Sequence, residues 1–372
     1  MIPYGKQIIE QDDVNSVIEA LRSDFITTGP KVAEFEKAIC NFTGAKFAVA
    51  VSNGTAALHC AANAAGIGTG DEVIVTPMTF AASANCILYC CGIPVFADVL
   101  PETLLLNPAE VEKKITKKTK AIIAVDYAGQ PCDYDKLAKI AKKYGIILIS
   151  DACHSIGGKY KGRRVGTLAD MTCFSFHPVK HITTGEGGMI VTDNAKFAEK
   201  MRVFRNHGIT TDYRQREEKG SWFYEMAELG YNYRITDFQC ALGISQLKKL
   251  TGWISKRREI AERYDGAFKG NPDIKPLGVS SELTHAYHLY VLRISQNIGR
   301  DEMFKKLRNA GIGVNVHYVP VHLHPYYQKN LQTSPGLCPV AEEAFKEILS
   351  IPMFPGLTEE QQNLTVKLIE GD

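Results

Sequence analysis

Short apolar runs alternate with segments of helical periodicity along the first 150 residues. The runs at 47–51, 72–75, 95–96, 121–125 and 146–149 are typical of buried strands. Apolar residues at helical spacing or runs of small residues predict helices at 11–21, 32–42, 55–65, 81–91 and 135–144. Continuous apolar strands that alternate with helices indicate a largely parallel sheet covered on both faces.

The pattern changes in the last third of the chain. Residues 236–268 read as mostly helical, with a break predicted at Thr251-Gly252-Trp253. A strand at 288–294, a helix at 301–310 and an extended segment at 313–317 then form an α+β pattern. A chain of 372 residues exceeds the usual limit for one core. We therefore expect a large domain at 1–250 and a small C-terminal domain at 251–372. The charged cluster at 214–219 reads as an exposed loop.

Composition and charge exclude several classes of protein. The chain is 45% hydrophobic and 23% charged, with a formal net charge of +2. A net charge so close to zero does not indicate a protein that binds nucleic acid. No apolar run approaches the roughly 18 residues of a membrane span, and the N-terminus lacks the order of a secretory signal. The ten cysteines are scattered without a C-x-x-C pair, so we expect free thiols and no metal site. The expected location is cytoplasmic.

Polar or aromatic positions follow four of the predicted strands. They are Ser52, the segment 76–80, Asp126 and Asp151. Because ligands gather at the carboxyl ends of parallel strands, this edge of the sheet is the expected site.

A candidate anion cradle lies at Ser52-Asn53-Gly54-Thr55. A strand ends there, a glycine permits close approach, and a helix of small residues begins, so free N–H groups would face an anion. The alternative is an ordinary helix start capped by Ser52 or Asn53. No G-x-G-x-x-G follows a strand and no Walker loop is present, which disfavours a nucleotide cofactor of that class.

Four further side chains have both a functional and a structural interpretation. Asp151 could pair with a protonated pyridine nitrogen or cap the next helix. His154 could orient that carboxylate or be an ordinary buried histidine. Phe80 could stack on a flat cofactor ring or belong to the core. Ser175 could donate to a phosphate or to the local backbone.

Lys180 is the candidate catalytic residue. It lies in an apolar segment, five residues after Ser175, and a glycine-rich turn at 185–188 follows. A lone buried ammonium is costly, and one use of such a lysine is as an amine that forms a Schiff base. The alternative is an exposed loop lysine. Amine, anion cradle and carboxylate together are what pyridoxal 5'-phosphate requires of a protein.

The motifs together resemble the DegT/DnrJ/EryC1/StrS sugar aminotransferases. In chain order they are Gly-Thr-Ala-Ala-Leu, Pro-x-Thr-Phe-x-Ala, Asp-Ala-x-His, Ser-Phe-His-x-x-Lys-x-x-x-x-Gly-Glu-Gly-Gly and Gly-Tyr-Asn-Tyr-Arg. The resemblance covers essentially the whole chain. It implies a pyridoxal-phosphate enzyme of fold type I, the aspartate aminotransferase-like α/β fold, with a mostly parallel central sheet in a large domain and a small α+β C-terminal domain.

The resemblance also implies a role for each matching residue. Lys180 would form the imine with the cofactor and shuttle a proton, and Asp151 would bind the pyridine nitrogen. Phe80 would stack on the ring, with His154 beside the cofactor. The phosphate would be held by Gly54, Thr55, Ser175 and, from the neighbouring subunit of a homodimer, Asn232. The residues expected to face the sugar nucleotide are Tyr4, Thr27, His317 and Tyr318.

Two stretches narrow the expected substrate. Val125-Asp126-Tyr127-Ala128-Gly129 and the segment 176–184 look most like the transaminases of pseudaminic acid biosynthesis. That resemblance implies a UDP-linked 4-keto-6-deoxy-N-acetylhexosamine as acceptor, L-glutamate as donor and UDP-4-amino-4,6-dideoxy-N-acetyl-β-L-altrosamine as product. The 4-amino-arabinose and perosamine types, and a transaminase with another acceptor, stay open.

Two other readings concern the chemistry itself. A 3-dehydratase of the same fold has histidine in place of the lysine, whereas this chain has Lys180 with His181 only beside it. A regulator that holds the cofactor without catalysis is disfavoured because all the chemical residues are present.

Overall fold

The computed structural model describes residues 1–211, 216–217 and 220–371. The predicted charged loop at 214–219 lies outside the described residues, apart from 216–217. The strands are β1 (Phe47–Val51), β2 (Glu72–Val75), β3 (Ile93–Phe96), β4 (Thr119–Val125), β5 (Ile147–Asp151), β6 (Lys159–Tyr160), β7 (Arg163–Arg164), β8 (Met171–Ser175), β9 (Gly188–Thr192), β10 (Ile274–Pro276), β11 (Leu283–Thr284), β12 (Tyr290–Ile294) and β13 (Ile348–Ile351).

Helices surround and connect these strands. They are α1 (Gln11–Arg22), α2 (Pro30–Thr43), α3 (Gly54–Ala64), α4 (Ala82–Tyr89), α5 (Pro108–Lys114), α6 (Tyr134–Tyr144), α7 (Ala195–Phe204), α8 (Asp237–Ala267), α9 (Arg300–Asn309), α10 (Pro325–Leu331), α11 (Pro339–Glu347) and α12 (Glu359–Glu370). None of the helices in the described ranges is long and apolar enough to span a bilayer.

A seven-stranded sheet forms the centre of the molecule, in the order β1-β9-β8-β5-β4-β2-β3. β9 is antiparallel to both of its neighbours, and the other pairings in the sheet are parallel. The strands are almost entirely buried, which explains why their sequences are continuous apolar runs rather than alternating ones. The expected type I fold with a mostly parallel sheet is confirmed.

The sequence pattern located β1–β5, β12, α1–α4, α6, α8 and α9 to within a few residues. It missed the remaining strands and helices, among them β8 and β9. Both strands are held by their neighbours in the sheet, which a local pattern does not report. Their omission matters, since Ser175 ends β8 and Lys180 lies on the loop that joins the two strands.

The long helix α8 runs without a break through the segment where the sequence predicted one. Leu250, Trp253 and Ile254 are buried on one side of it, and this packing outweighs the roughly 1 kcal/mol cost of Gly252 in a helix. Thr236 and Gln239 form a capping box at its start. The predicted break at Thr251-Gly252-Trp253 is therefore wrong.

A second hydrophobic core lies beyond the middle of α8. It joins the end of that helix to the sheet β10-β12-β13 and includes Ile2 from the N-terminus. The Ile2 backbone N–H donates to the Gly311 carbonyl at 2.9 Å. The predicted boundary near residue 250 falls inside α8, which contributes to both cores, so the division into domains at that residue stays a prediction.

Candidate active site

A cleft of about 850 Å³ opens at the carboxyl edge of the central sheet. It is lined by ten of the twelve residues that the sequence put forward, namely Tyr4, Gly54, Thr55, Phe80, Asp151, His154, Ser175, Lys180, His317 and Tyr318. They come from both ends of the chain, and the fold brings them together at the edge where parallel strands end.

Lys180 is held in the cleft by a tight turn after β8. Its backbone N–H donates to the His177 carbonyl at 2.9 Å, and the N–H of Thr184 donates to the Phe176 carbonyl at 3.0 Å. Gly187 has no room for a side chain, because a Cβ there would lie 2.1 Å from the Thr184 hydroxyl oxygen. Lys180 is half-buried, and loss of solvation lowers the pKa of its amine, although Cys153 and Asp151 oppose the shift. More of the amine is therefore uncharged near neutral pH than in water.

Asp151 ends β5 and is buried at the bottom of the cleft. Ser83 donates to its Oδ2 at 2.6 Å, and the Ser83 oxygen lies 2.7 Å from the hydroxyl oxygen of Thr79. The backbone N–H of Cys153 donates to Oδ1 at 3.2 Å. These hydrogen bonds fix the orientation of the carboxylate.

The N-terminus of α3 forms the anion cradle. Asn53 is the cap, since its side-chain oxygen accepts from the Ala56 N–H at 2.8 Å. Within the described residues, no protein group accepts a hydrogen bond from the N–H of Gly54 or Thr55. A Cβ at Gly54 would lie 2.8 Å from the Ser175 Cβ and 3.1 Å from its Oγ, so only glycine lets the hydroxyl approach. Two free donors of a helix terminus and a hydroxyl suit a phosphate.

His154 and Phe80 lie on either side of Tyr318. The Tyr318 hydroxyl is 3.1 Å from His154 Nε2, and the rings of Phe80 and Tyr318 are 6.2 Å apart. The structure shows no hydrogen bond from His154 to Asp151 among the contacts it describes, so the histidine does not orient that carboxylate directly. Phe80 is 62% exposed, which leaves its ring free to cover a flat ligand.

The end of the cleft towards the second core is aromatic and polar. The rings of Tyr4 and His317 are 5.5 Å apart, and His317 Nδ1 lies 2.9 Å from the Ser350 hydroxyl. Burial lowers the pKa of His317 to about 4, and the nearby Lys180 adds to the shift, so the ring is neutral near neutral pH. The hydroxyl of Tyr127 donates to the His317 carbonyl.

Thr27 and Asn232 lie outside the cleft of their own chain. Thr27 pairs with Thr236 in an isolated β-bridge, and Asn232 pairs with Asn206 in another. Asn232 is exposed.

Several residues that line the cleft were not predicted from the sequence. Ser83 and His288 are the most informative of them, since Ser83 bonds Asp151 and His288 packs on His154. A serine in a helix of small residues and a histidine before a strand have no distinctive local signal, so only the fold identifies them.

The residues in this cleft fit pyridoxal phosphate. A half-buried amine, a buried carboxylate and a helix terminus with unused donors line one cavity, and Gly54 keeps the space beside Ser175 open. No group of three or more His, Cys, Asp or Glu side chains among the described residues could hold a metal ion. Fold and site together define a pyridoxal-phosphate-dependent aminotransferase.

Comparison with known proteins agrees with this class. The family model of the DegT/DnrJ/EryC1/StrS aminotransferases matches residues 7–370, and the chain belongs to this family. The spore coat polysaccharide biosynthesis protein SpsC of Bacillus subtilis is 39% identical over 99% of this chain and 96% of its own length. The protein is therefore a sugar aminotransferase.

Solved structures of similar proteins give the same result. Helicobacter pylori PseC, an aminotransferase of pseudaminic acid biosynthesis, superimposes with a TM-score of 0.93 at 32% identity, covering 100% of this chain and 98% of PseC. The sugar aminotransferase Spr1654 of Streptococcus pneumoniae has a TM-score of 0.94 in its pyridoxamine-phosphate form, at 32% identity and with 100% and 98% covered. Spr1654 has also been solved in its pyridoxal-phosphate form.

Proposed function

We propose that the protein transfers the amino group of L-glutamate to C4 of a UDP-linked 4-keto-6-deoxy-N-acetylhexosamine. The product would be UDP-4-amino-4,6-dideoxy-N-acetyl-β-L-altrosamine, a precursor of pseudaminic acid. The observation that carries the chemistry is the placement of Lys180, Asp151 and the free N–H groups of Gly54 and Thr55 on one cleft. The likeness to PseC supports the choice of sugar.

In this proposal the residues around the cofactor have separate tasks. Bound pyridoxal phosphate supplies an aldehyde carbon and an electron-withdrawing ring. Lys180 presents its amine to that carbon and carries the proton there, which its lowered pKa favours. Asp151 provides negative charge for the pyridine nitrogen, and Ser83 and Cys153 hold it in place.

The remaining contacts bind and orient. Ser175 and the start of α3 hold the phosphate, and Phe80 covers the ring. Tyr4, His317 and Tyr318 line the part of the cleft that would receive the sugar nucleotide. Glutamate and sugar would enter the same cavity in turn, so the kinetics should be ping-pong.

A homodimer with shared sites forms part of the proposal. Asn232 would complete the phosphate site of the neighbouring subunit, and Thr27 would reach the sugar nucleotide at the same interface. Exposed apolar side chains lie close to Asn232 in sequence, including Trp222 at 86% and Leu229 at 77% exposure. Exposed apolar side chains concentrated in one segment support a subunit contact there.

A related nucleotide-sugar 4-aminotransferase, of the 4-amino-arabinose or perosamine type, is the second candidate. It is supported by the 39% identity to SpsC, whose name connects it to the spore coat polysaccharide and does not mention pseudaminic acid. Both candidates use the same Lys180 chemistry and differ only in the acceptor.

Two experiments test the proposal. Reduction of the resting holoenzyme with borohydride, followed by digestion, should attach the cofactor to the peptide that contains Lys180; a tag elsewhere, or none, contradicts the site. Mass spectrometry of products from L-glutamate and a panel of nucleotide 4-keto sugars then separates the two candidates. Amination of another sugar in preference to the N-acetylated one would contradict the first.

A further inference from the structure

Three buried imidazoles pack together at the wall of the cleft, with His288 in contact with both of the others. The rings of His154 and His288 have centroids 4.3 Å apart, and those of His288 and His181 are 5.7 Å apart. Their exposures are 5%, 5% and 2%. Within the described part of the chain, the Nδ1 atom of each has no hydrogen-bond partner. The orientation of these rings therefore depends mainly on packing.

Neither of the two outer rings has a described hydrogen bond to the middle one. His154 meets the Tyr318 hydroxyl through Nε2 at 3.1 Å. His181 Nε2 donates to the Ala286 carbonyl at 3.0 Å, since a carbonyl can only accept. A ring with one hydrogen bond can pivot about it. For His154, the ring contacts with His288 and Tyr318 restrict this motion.

His288 is itself fixed by its backbone. Leu289 N–H donates to the Ala128 carbonyl at 3.1 Å, and the buried Arg257 guanidinium lies 3.5 Å from the His288 carbonyl oxygen. Gly129, with φ of +109°, approaches the same loop so closely that a Cβ there would lie 2.9 Å from the His288 nitrogen. The backbone that carries the middle ring is thus held by contacts outside the cofactor cleft.

We propose that His288 is a positioning residue of the active site, acting through the ring of His154 on Tyr318. Tyr318 lines the cleft beside Phe80, so a change in its direction would change the wall against which the cofactor and substrates are held. The proposal rests on the cofactor site described above but does not depend on which sugar is the acceptor.

Charge does not explain this packing. Burial lowers the pKa of all three histidines well below the usual value, and the neighbouring Lys180 acts in the same direction on each. The rings are neutral at neutral pH, so they neither pair with a carboxylate nor hold a fixed positive charge. His288 therefore acts through the shape of its ring and the contact of that ring with His154.

The glutamate half-reaction tests this without any sugar. His288→Leu introduces an apolar side chain of similar size and removes the flat ring. The variant holoenzyme should keep its melting temperature within a few degrees and bind one cofactor per chain. Its visible circular dichroism should weaken, and the rate at which glutamate bleaches the cofactor band should fall about 10- to 100-fold. The glutamate concentration for half-maximal rate should change much less.

A double-mutant cycle decides whether the effect passes through His154. His154→Gln, His288→Leu and the double variant are compared, and the double variant should be no slower than His154→Gln alone. His285→Asn is the matched control, because His285 is buried in the same loop but stacks on Tyr287, and asparagine can still accept from the Tyr287 N–H. It should leave the half-reaction rate and the circular dichroism unchanged.

The possible outcomes are distinct. Additive losses in the cycle, or an equal loss in His285→Asn, would overturn the role of His288. A wild-type protein without a cofactor band that glutamate bleaches would overturn the proposed site and this role with it. Should His288→Leu fail to fold, His288→Gln takes its place in the same cycle, with the same expected result.

Discussion

The Ser83 hydroxyl donates a 2.6 Å hydrogen bond to Oδ2 of Asp151. Ser83 lies on α4, which follows the second strand of the central sheet, whereas Asp151 ends β5. The Ser83 oxygen is also 2.7 Å from the Thr79 hydroxyl oxygen, so a chain of two hydroxyls supports the carboxylate from below. A carboxylate whose orientation is fixed by hydrogen bonds keeps that orientation when it pairs with a cationic ring nitrogen. Orientation of this kind is what a protein contributes to cofactor chemistry.

Ser83→Ala should therefore weaken cofactor binding. A hydrogen bond to a charged group contributes about 1.5–3 kcal/mol, so the dissociation constant of pyridoxal phosphate should rise by about tenfold or more. The change is measured by titrating apoenzyme with cofactor and following absorbance. Ser255→Ala, at an exposed position on α8, is the control and should bind as the wild type does. Equal affinities for both variants would show that Ser83 does not support Asp151.

Lys180→Ala should lower turnover by about a thousandfold or more, because amine and proton carrier are lost together. The fold should be retained, since the side chain lines a cleft rather than filling a core. Glutamate-dependent product formation and the melting temperature are measured side by side. Transamination at a wild-type rate in Lys180→Ala would exclude this lysine as the catalytic residue.

Asn232→Ala should reduce cofactor retention while leaving the cleft of its own chain intact. Mixing it with Lys180→Ala should restore part of the activity, since one site of the mixed dimer would carry both wild-type residues. Activity is measured after the two variants have been unfolded and refolded together. As the control, two preparations of Lys180→Ala are unfolded and refolded together in the same way. If the mixture of the two different variants recovers no activity, the sites are not shared.

Gly54→Ala should abolish cofactor binding, because the added methyl would lie 2.8 Å from the Ser175 Cβ at the start of α3. Cofactor content after gel filtration measures the effect. Gly252→Ala is a matched control on α8, where no heavy atom lies within 4 Å of the added methyl. That variant should keep its cofactor and gain about 0.5–1 kcal/mol in free energy of unfolding. Full cofactor content in Gly54→Ala would show that the cradle tolerates a side chain.

Much of this site was predictable because its residues occur in local patterns. A strand followed by Asn53-Gly54-Thr55 and a helix of small residues predicts free donors at a helix terminus, and the structure has them. Asp151 follows an apolar run, so its position at the edge of the sheet also follows from the sequence. The parallel sheet itself was predicted from the continuous apolar character of its strands.

Other features depend on contacts between distant parts of the chain. β8 and β9 are short strands that pair with neighbours formed by residues far away in sequence. The continuity of α8 through Gly252 depends on the burial of Trp253 and Ile254 against other elements. His288 reaches His154 only because the loop before β12 crosses Gly129. No local pattern carries this information.

Asp126 should make the stability of the protein depend on pH. Its carboxyl is fully buried, and loss of solvation raises its pKa to about 7, although Ser155, Tyr134 and the N–H of Cys132 donate to it. The unfolded chain releases this proton near the usual pKa of about 3.9, whereas the folded chain keeps it until about pH 7. Between these values the folded state binds more protons, so this group makes the free energy of unfolding fall as pH rises, by up to about 1.4 kcal/mol per pH unit.

Asp126→Asn removes this titration and keeps a similar shape. The variant should gain stability relative to the wild type as the pH is raised from 4.5 to 7, and the difference should level off above that range. Urea unfolding at four or five pH values, followed by far-UV circular dichroism, measures the difference, in which the effects of carboxyls distant from Asp126 cancel. Asp135→Asn, an exposed carboxylate on α6 that pairs with Lys161 and Arg163, is the control. Loss of its ion pairs should change stability by less than about 1 kcal/mol at every pH in the range. A stability difference between Asp126→Asn and the wild type that stays constant with pH would contradict the prediction. It would show that the Asp126 carboxyl is already ionised in the folded protein at pH 4.5.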